Sequence, residues 1–187
     1  MPQLVLASQS PRRRELLSVA GFEFAVRVKP VEEVHRAGES PVDYVRRLAR
    51  DKAEAAWENA DEIVLGADTT VVIDDHILEK PADADDARAM LRLLSGREHT
   101  VITGISFRHR GGSIVDHCVT QVRFAALTET EIAEYVASGE PFDKAGGYAI
   151  QGLACKFVER VDGCYFNVMG LPLSLVYRRW KSLAAPE

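Results

Sequence analysis

The chain has 187 residues, 47% hydrophobic and 27% charged, proportions ordinary for a globular protein little longer than one average domain. That length buries roughly 70% of the unfolded surface without a disulfide or metal staple, and the composition excludes a mostly disordered chain, a collagen-like repeat and a simple coiled coil. Twenty-three Lys and Arg face 28 Asp and Glu, a net charge of −5, whereas a protein that mainly grips nucleic-acid backbone usually carries the opposite sign.

Strand and helix patterns alternate without repeat, low-complexity tract or linker, so a single α/β domain over residues 1–187 is expected, with or without a small lobe. Leu4 to Ala7 reads as a short buried strand. Ser10 and Pro11 then cap a helix that runs to about Ala20 and ends at Gly21. Phe22 to Val28 alternates as a strand does, and Pro30 to Glu39 reads as a loop. Ser40, Pro41 and Asp43 open a second helix that continues to about Glu58. Ile63 to Ala67 is a buried strand expected to end in Asp68. Thr70–Ile73 and Ile77–Leu78 flank Asp74-Asp75 as a hairpin. Asp83 caps a third helix with the stripe Ala87, Met90, Leu91 and Leu94, closed by Gly96. Val101–Phe107 and Ile114–Phe124 are strands joined at Gly111-Gly112. Thr128 to Glu131 is a capping box before Ile132, Tyr135 and Val136. Lys156–Val161 and Cys164–Val168 read as a hairpin over Asp162-Gly163, and a last helix begins near Pro172. Hairpins combined with a strand–helix unit imply a mixed sheet with flanking helices.

Cys118, Cys155 and Cys164 are odd in number and form no Cys-x-x-Cys pair, so neither a disulfide framework nor a zinc site is expected, and the chain reads as cytoplasmic. The five histidines show no metal-ligand spacing. No apolar run approaches about 18 residues, so no membrane helix is expected, and the N-terminus lacks the features of a signal peptide.

Four stretches carry chemistry. A helix N-terminus prefers acidic residues, yet the first helix opens with Arg12, Arg13 and Arg14. That breach of a local rule points to a bound anion, and phosphate suits backbone N–H groups, serine hydroxyls and guanidinium forks together. At least one arginine, Arg14 by choice, should point to solvent. In the second helix Lys52 shares the face of Val45 and Leu48, while Arg46, Arg47, Arg50 and Glu54 read as polar-face residues. Lys52 either snorkels outward along its stem or aims an ammonium into a cleft. Asp68, expected at a strand end where α/β folds place their sites, should face a metal, a cation or a water it activates; a hydrogen-bonded turn aspartate is the plainer alternative. Around Gly146-Gly147 a flexible loop leads to Gln151, whose amide could read a base edge.

These stretches, in order, resemble the Maf family of nucleoside triphosphate pyrophosphatases, also called septum-formation inhibitors. The matching residues are Ser8-Gln9-Ser10-Pro11-Arg12-Arg13-Arg14-Glu15-Leu16-Leu17, Glu32-Glu33, Arg47-Leu48-Ala49-Arg50-Asp51-Lys52-Ala53, Gly66-Ala67-Asp68-Thr69, Glu79-Lys80-Pro81, Ile150-Gln151-Gly152 and Gly170-Leu171-Pro172. The resemblance implies hydrolysis of a nucleoside triphosphate between its α- and β-phosphates, a mixed α/β fold like that of the inosine-triphosphate pyrophosphatases, a divalent cation and a homodimer. It implies that Ser8, Arg12, Arg13, Lys52 and Lys80 bind the triphosphate. Glu33 and Asp68 would hold magnesium or manganese and position water, with Asp68 as proton acceptor and Glu33 able to share that role. Within the family, Arg12, Thr69 and Gln151 match the branch that resembles dTTP/UTP pyrophosphatases. The branch resembling 7-methyl-GTP pyrophosphatases carries Trp in place of Arg12, where an aromatic could stack on a cationic base. Activity on 7-methyl-GTP, or a non-catalytic nucleotide-binding role in cell division, are the alternatives.

Overall fold

The computed structural model describes residues 2–184. A sheet runs in the order β2-β1-β3-β5-β6-β7, with β4 paired to β3. Its strands are β1 (Gln3–Leu6), β2 (Phe24–Val26), β3 (Glu62–Ile73), β4 (His76–Leu78), β5 (Glu98–His109), β6 (Gly112–Phe124) and β7 (Val158–Asp162). β1 is parallel to both β2 and β3, with Val5 opposite Ala25 and Val64. β3–β4 and β6–β7 are antiparallel, so the sheet is mixed, as the sequence implies. The helices are α1 (Pro11–Val19), α2 (Pro41–Ala56), α3 (Ala84–Leu94), α4 (Glu129–Ala137), the single turn α5 (Tyr165–Val168) and α6 (Leu173–Ala184). No helix among the described residues is long and apolar enough to cross a membrane.

The chain forms two compact units. The first takes the residues up to Asp68, Thr103–Cys118 and the segment from Gly170 onward. It holds β1, β2, α1, α2 and α6, and one of its apolar clusters joins Val5, Ala7, Ala53, Ala56 and Val64. The second takes Thr69–Ile102 and Val119–Met169. Its core gathers the α3 stripe Ala87, Leu91 and Leu94 with Val122, Phe124, Ile132, Tyr135, Val136 and Phe157. The chain passes between the units within β3, β5 and β6 and again between Met169 and Gly170.

The capping chemistry is as the sequence indicates. Ser10, Ser40 and Asp83 each accept backbone N–H bonds from the first turns of α1, α2 and α3, and Thr128 and Glu131 form a reciprocal capping box on α4. Asp74 and Asp75, at φ 50° and 63°, supply the left-handed turn between β3 and β4.

Two expectations about strands fail. The strand reaching Asp68 does not end there. It continues through Thr69, Thr70, Val71 and Val72 to Ile73, because nothing in that β-branched run turns the chain. Cys164–Val168 is not a strand paired with the preceding one. Gly163, at φ +128°, redirects the chain, β7 pairs with β6, and Tyr165–Val168 makes a helical turn. That turn places the Asn167 amide to donate to Val101 O and Thr120 Oγ1, at 3.0 Å each.

Candidate active site

Beyond β1 the chain passes Ala7 and Ser8 to the Ser10 cap of α1. Arg13 does not fan out into solvent. Its Nη1 donates to Ser8 Oγ at 3.1 Å and to Ala67 O at 2.9 Å, and its Nε donates to Gly170 O at 2.8 Å. One guanidinium therefore ties the turn after β1 to β3 and to the segment before α6. Burial lowers its pKa from the ordinary value, against the opposing charge of Asp68. Arg12 is half-buried, and Arg14 is exposed as expected.

α2 buries Val45 and Leu48, the face read from the sequence, together with Ala49, Ala53 and Ala56. It lies directly on the sheet because two positions beneath it are glycine. A Cβ on Gly66 would stand 2.1 Å from Ala49 O, and one on Gly104 2.3 Å from Val45 O. That close approach brings Lys52 down to the sheet. Its Nζ donates to Asp68 Oδ1 at 2.6 Å and stands 3.0 Å from Glu33 Oε1. Lys52 is thus an inward ammonium and not a snorkelling surface residue. Asp68 lies mid-strand and buried. Burial pushes its carboxyl pKa up, while the charges of Lys52 and Arg13 pull against that rise.

Glu33 sits on the Pro30–Glu39 loop with half its side chain exposed. What holds this loop was not evident from the sequence. Arg47, expected on a polar face, is instead buried. Its Nε and Nη2 donate to the two Glu39 carboxylate oxygens at 2.6 and 2.8 Å, and Nη2 also donates to Val34 O at 2.9 Å. The Tyr44 hydroxyl donates to Glu33 O at 3.4 Å. The Arg47 fork takes the Glu39 carboxyl down to about 2. The sequence signal for this clip is faint: Arg47 lies i+3 from the buried Tyr44, and an acid stands just before the α2 cap.

Ser8, Arg13, Glu33, Lys52 and Asp68 therefore converge in the first unit. Thr69, half-buried, follows Asp68 along β3 and belongs to the second unit, as do Lys80 and Gln151. Lys80 is exposed before the buried Pro81. Gln151 is exposed in a turn closed by the Gly152 N–H donating to Ala149 O at 3.0 Å. Among the described residues no group of three or more His, Cys, Asp or Glu could hold a metal. Two carboxylates that already share one cation, Lys52 Nζ, nevertheless fit a hard divalent ion, since magnesium is bound by one or two carboxylates and completes its shell with water and phosphate oxygens.

A family model described as Maf-like protein matches residues 3–183. The chain belongs to the Maf family. It is 51% identical over 176 residues to a dTTP/UTP pyrophosphatase of Koribacter versatilis, covering 94% of this chain and 91% of that one. It is 53% identical over 176 residues to the dTTP/UTP pyrophosphatase of Vibrio cholerae, with 91% and 92% covered. Identity to that of a Geobacillus species is 47% over 184 residues, with 98% and 99% covered. Among solved structures, the Ham1 protein of Staphylococcus aureus aligns over 96% of this Maf chain and 98% of its own, with a TM-score of 0.55 at 14% identity, a likeness of fold.

Proposed function

We propose that this Maf protein hydrolyses dTTP and UTP between the α- and β-phosphates, releasing the monophosphate and pyrophosphate and so clearing pyrimidine nucleotides, 5-modified ones included, from the pool. The observation that carries the reading is the buried Asp68 carboxylate, 2.6 Å from Lys52 and flanked through it by Glu33. Relatives about half identical to this chain are named for that activity.

Asp68 accepts the proton of the attacking water. Lys52 holds the carboxylate in place and favours its ionised form against the cost of burial. The Ser8 oxygen accepts from Arg13 Nη1 and from the Ser10 N–H, at 3.1 and 3.3 Å. Both its acceptor positions are thereby used, and its own proton is left to donate to a phosphate oxygen. Arg12, Arg13, Lys52 and Lys80 supply positive charge to the triphosphate. Glu33 and Asp68 would hold magnesium or manganese, which would supply Lewis-acid neutralisation of phosphate charge. Arg12, Thr69 and Gln151 select the base. A uracil or thymine ring offers an N–H between two carbonyls, and a carboxamide can pair with both kinds of group. The Arg12 guanidinium disfavours a cationic methylated purine. On this reading the enzyme is a cytoplasmic homodimer.

The test is competition between dTTP and 7-methyl-GTP at equal concentration, with magnesium or manganese, in the parent and in Asp68→Asn. The parent consumes dTTP first, and Asp68→Asn loses turnover by about 10²–10⁴-fold. Faster consumption of 7-methyl-GTP overturns the base assignment, and near-normal turnover in Asp68→Asn overturns the role of Asp68.

A further inference from the structure

The turn that presents Gln151 is anchored from outside itself. α4 ends at Ser138, Gly139 turns the chain at φ 77°, and Glu140 follows. The Tyr135 hydroxyl donates to Glu140 Oε1 at 2.7 Å, and its oxygen accepts the Ala149 N–H at 3.2 Å. The other carboxylate oxygen, Oε2, accepts the Leu153 N–H at 3.0 Å. Residues 149 and 153 bracket the turn, so one Tyr–Glu pair grips it at both ends. Between the grips Ile150 is buried and Gln151 is exposed.

The fit is close. A Cβ on Gly152 would stand 2.3 Å from Glu140 Oε2, so the carboxylate lies against the backbone of the turn. Glu140 is itself held. Its N–H donates to Ser138 Oγ at 3.2 Å, and its carbonyl accepts from Lys144 Nζ at 2.6 Å. The Tyr135 ring is buried and packs edge-on against Phe157, with centroids 5.5 Å apart. Burial, and then the bond to Glu140, push the Tyr135 phenol well above its ordinary pKa, so it stays a donor at any working pH.

We propose that Tyr135 and Glu140 are positioning residues for base selection: they fix the Ala149–Leu153 turn so that the Gln151 amide meets the base already ordered. This rests on the reading of Gln151 as a base contact. A pre-formed turn spares the ordering cost that a loose one incurs on binding. A carboxylate is the required group, because both oxygens accept, one from Tyr135 O–H and one from Leu153 N–H. An amide at position 140 would set its NH₂ against one of those donors.

The test compares kcat/KM for dTTP and 7-methyl-GTP, the two substrates that the base contacts are read as separating, in Tyr135→Phe, Glu140→Gln, Gln151→Leu and Tyr135→Phe/Gln151→Leu, with Tm measured for each. In Tyr135→Phe and Glu140→Gln the dTTP preference falls about tenfold, through KM more than kcat, as in Gln151→Leu. The double variant is no less selective than Gln151→Leu alone, because a loosened turn has nothing left to misplace. If Gln151→Leu lowers the preference while Tyr135→Phe and Glu140→Gln reduce both substrates equally, the pair is merely structural and the proposal is overturned. If Gln151→Leu leaves the preference unchanged, the reading of Gln151 fails and the proposal fails with it. Glu140→Gln keeps the size of the side chain and the buried phenol, so it decides the matter should Tyr135→Phe not fold.

Discussion

The ammonium of Lys52 stands 2.6 Å from the Asp68 carboxylate and 3.0 Å from that of Glu33. A single cation thus serves a buried acid on a central strand and a half-exposed acid on a loop. The arrangement depends on glycine at 66 and 104, which lets α2 lie close enough for a side chain of ordinary length to reach β3.

Removing Lys52 leaves the buried Asp68 without its nearest counter-charge. Lys52→Met is expected to lose on the order of 3 kcal/mol of stability, the usual consequence of breaking a buried pair from one side. Asp68→Asn, nearly isosteric and leaving Lys52 its partner Glu33 at 3.0 Å, should lose less. Lys52→Met/Asp68→Asn should regain most of the stability that Lys52→Met lost while remaining inactive. Urea unfolding of the three variants measures this coupling, and a Lys52→Met variant as stable as the parent contradicts the ion pair.

The Arg47–Glu39 clip is expected to act on turnover through the Glu33 loop. Arg47→Lys keeps the charge but not the two-pronged fork that bridges Glu39 and Val34 O. We expect kcat/KM to fall about tenfold, with faster amide exchange over residues 32–36. Glu39 is depressed to about 2 by Arg47. The stability it contributes is therefore complete above the ordinary glutamate pKa and is lost as pH falls from there through about 2. Unchanged exchange in Arg47→Lys would show that the loop is held by other means.

His99 gives a pH effect in the second unit that is separate from catalysis. It is buried against Phe124 and Tyr148, shares a 2.8 Å hydrogen bond with the Tyr148 hydroxyl, and burial lowers its pKa to about 4. The unfolded chain binds that proton near pH 6.5. Stability from a neutral His99 is thus complete above pH 6.5 and declines as pH falls toward 4, by roughly 3 kcal/mol in all. His99→Gln should flatten this part of the pH–Tm curve, and an unaltered slope would place the titrating group elsewhere.

Much of this was legible in the sequence where the deciding forces are local. The α3 stripe of Ala87, Met90, Leu91 and Leu94, the Thr128–Glu131 box and the Ser10 and Ser40 caps follow from spacing alone. The sequence singles out Asp68 as a carboxylate in need of a partner but places it at a strand end, although no glycine or proline interrupts Asp68 to Ile73. The helical turn at Tyr165–Val168 was hidden because Asn167 finds its partners 66 and 47 residues away. Arg47 was hidden because periodicity assigns a charge to the outside, whereas a bidentate carboxylate eight residues earlier allows it to be buried.

The most direct test of the whole reading is the product of dTTP hydrolysis under single-enzyme conditions with magnesium or manganese. Attack between the α- and β-phosphates yields dTMP and pyrophosphate in equal amounts, and this release disappears in Asp68→Asn. Formation of dTDP and orthophosphate, or pyrophosphate release that persists undiminished in Asp68→Asn, would contradict it.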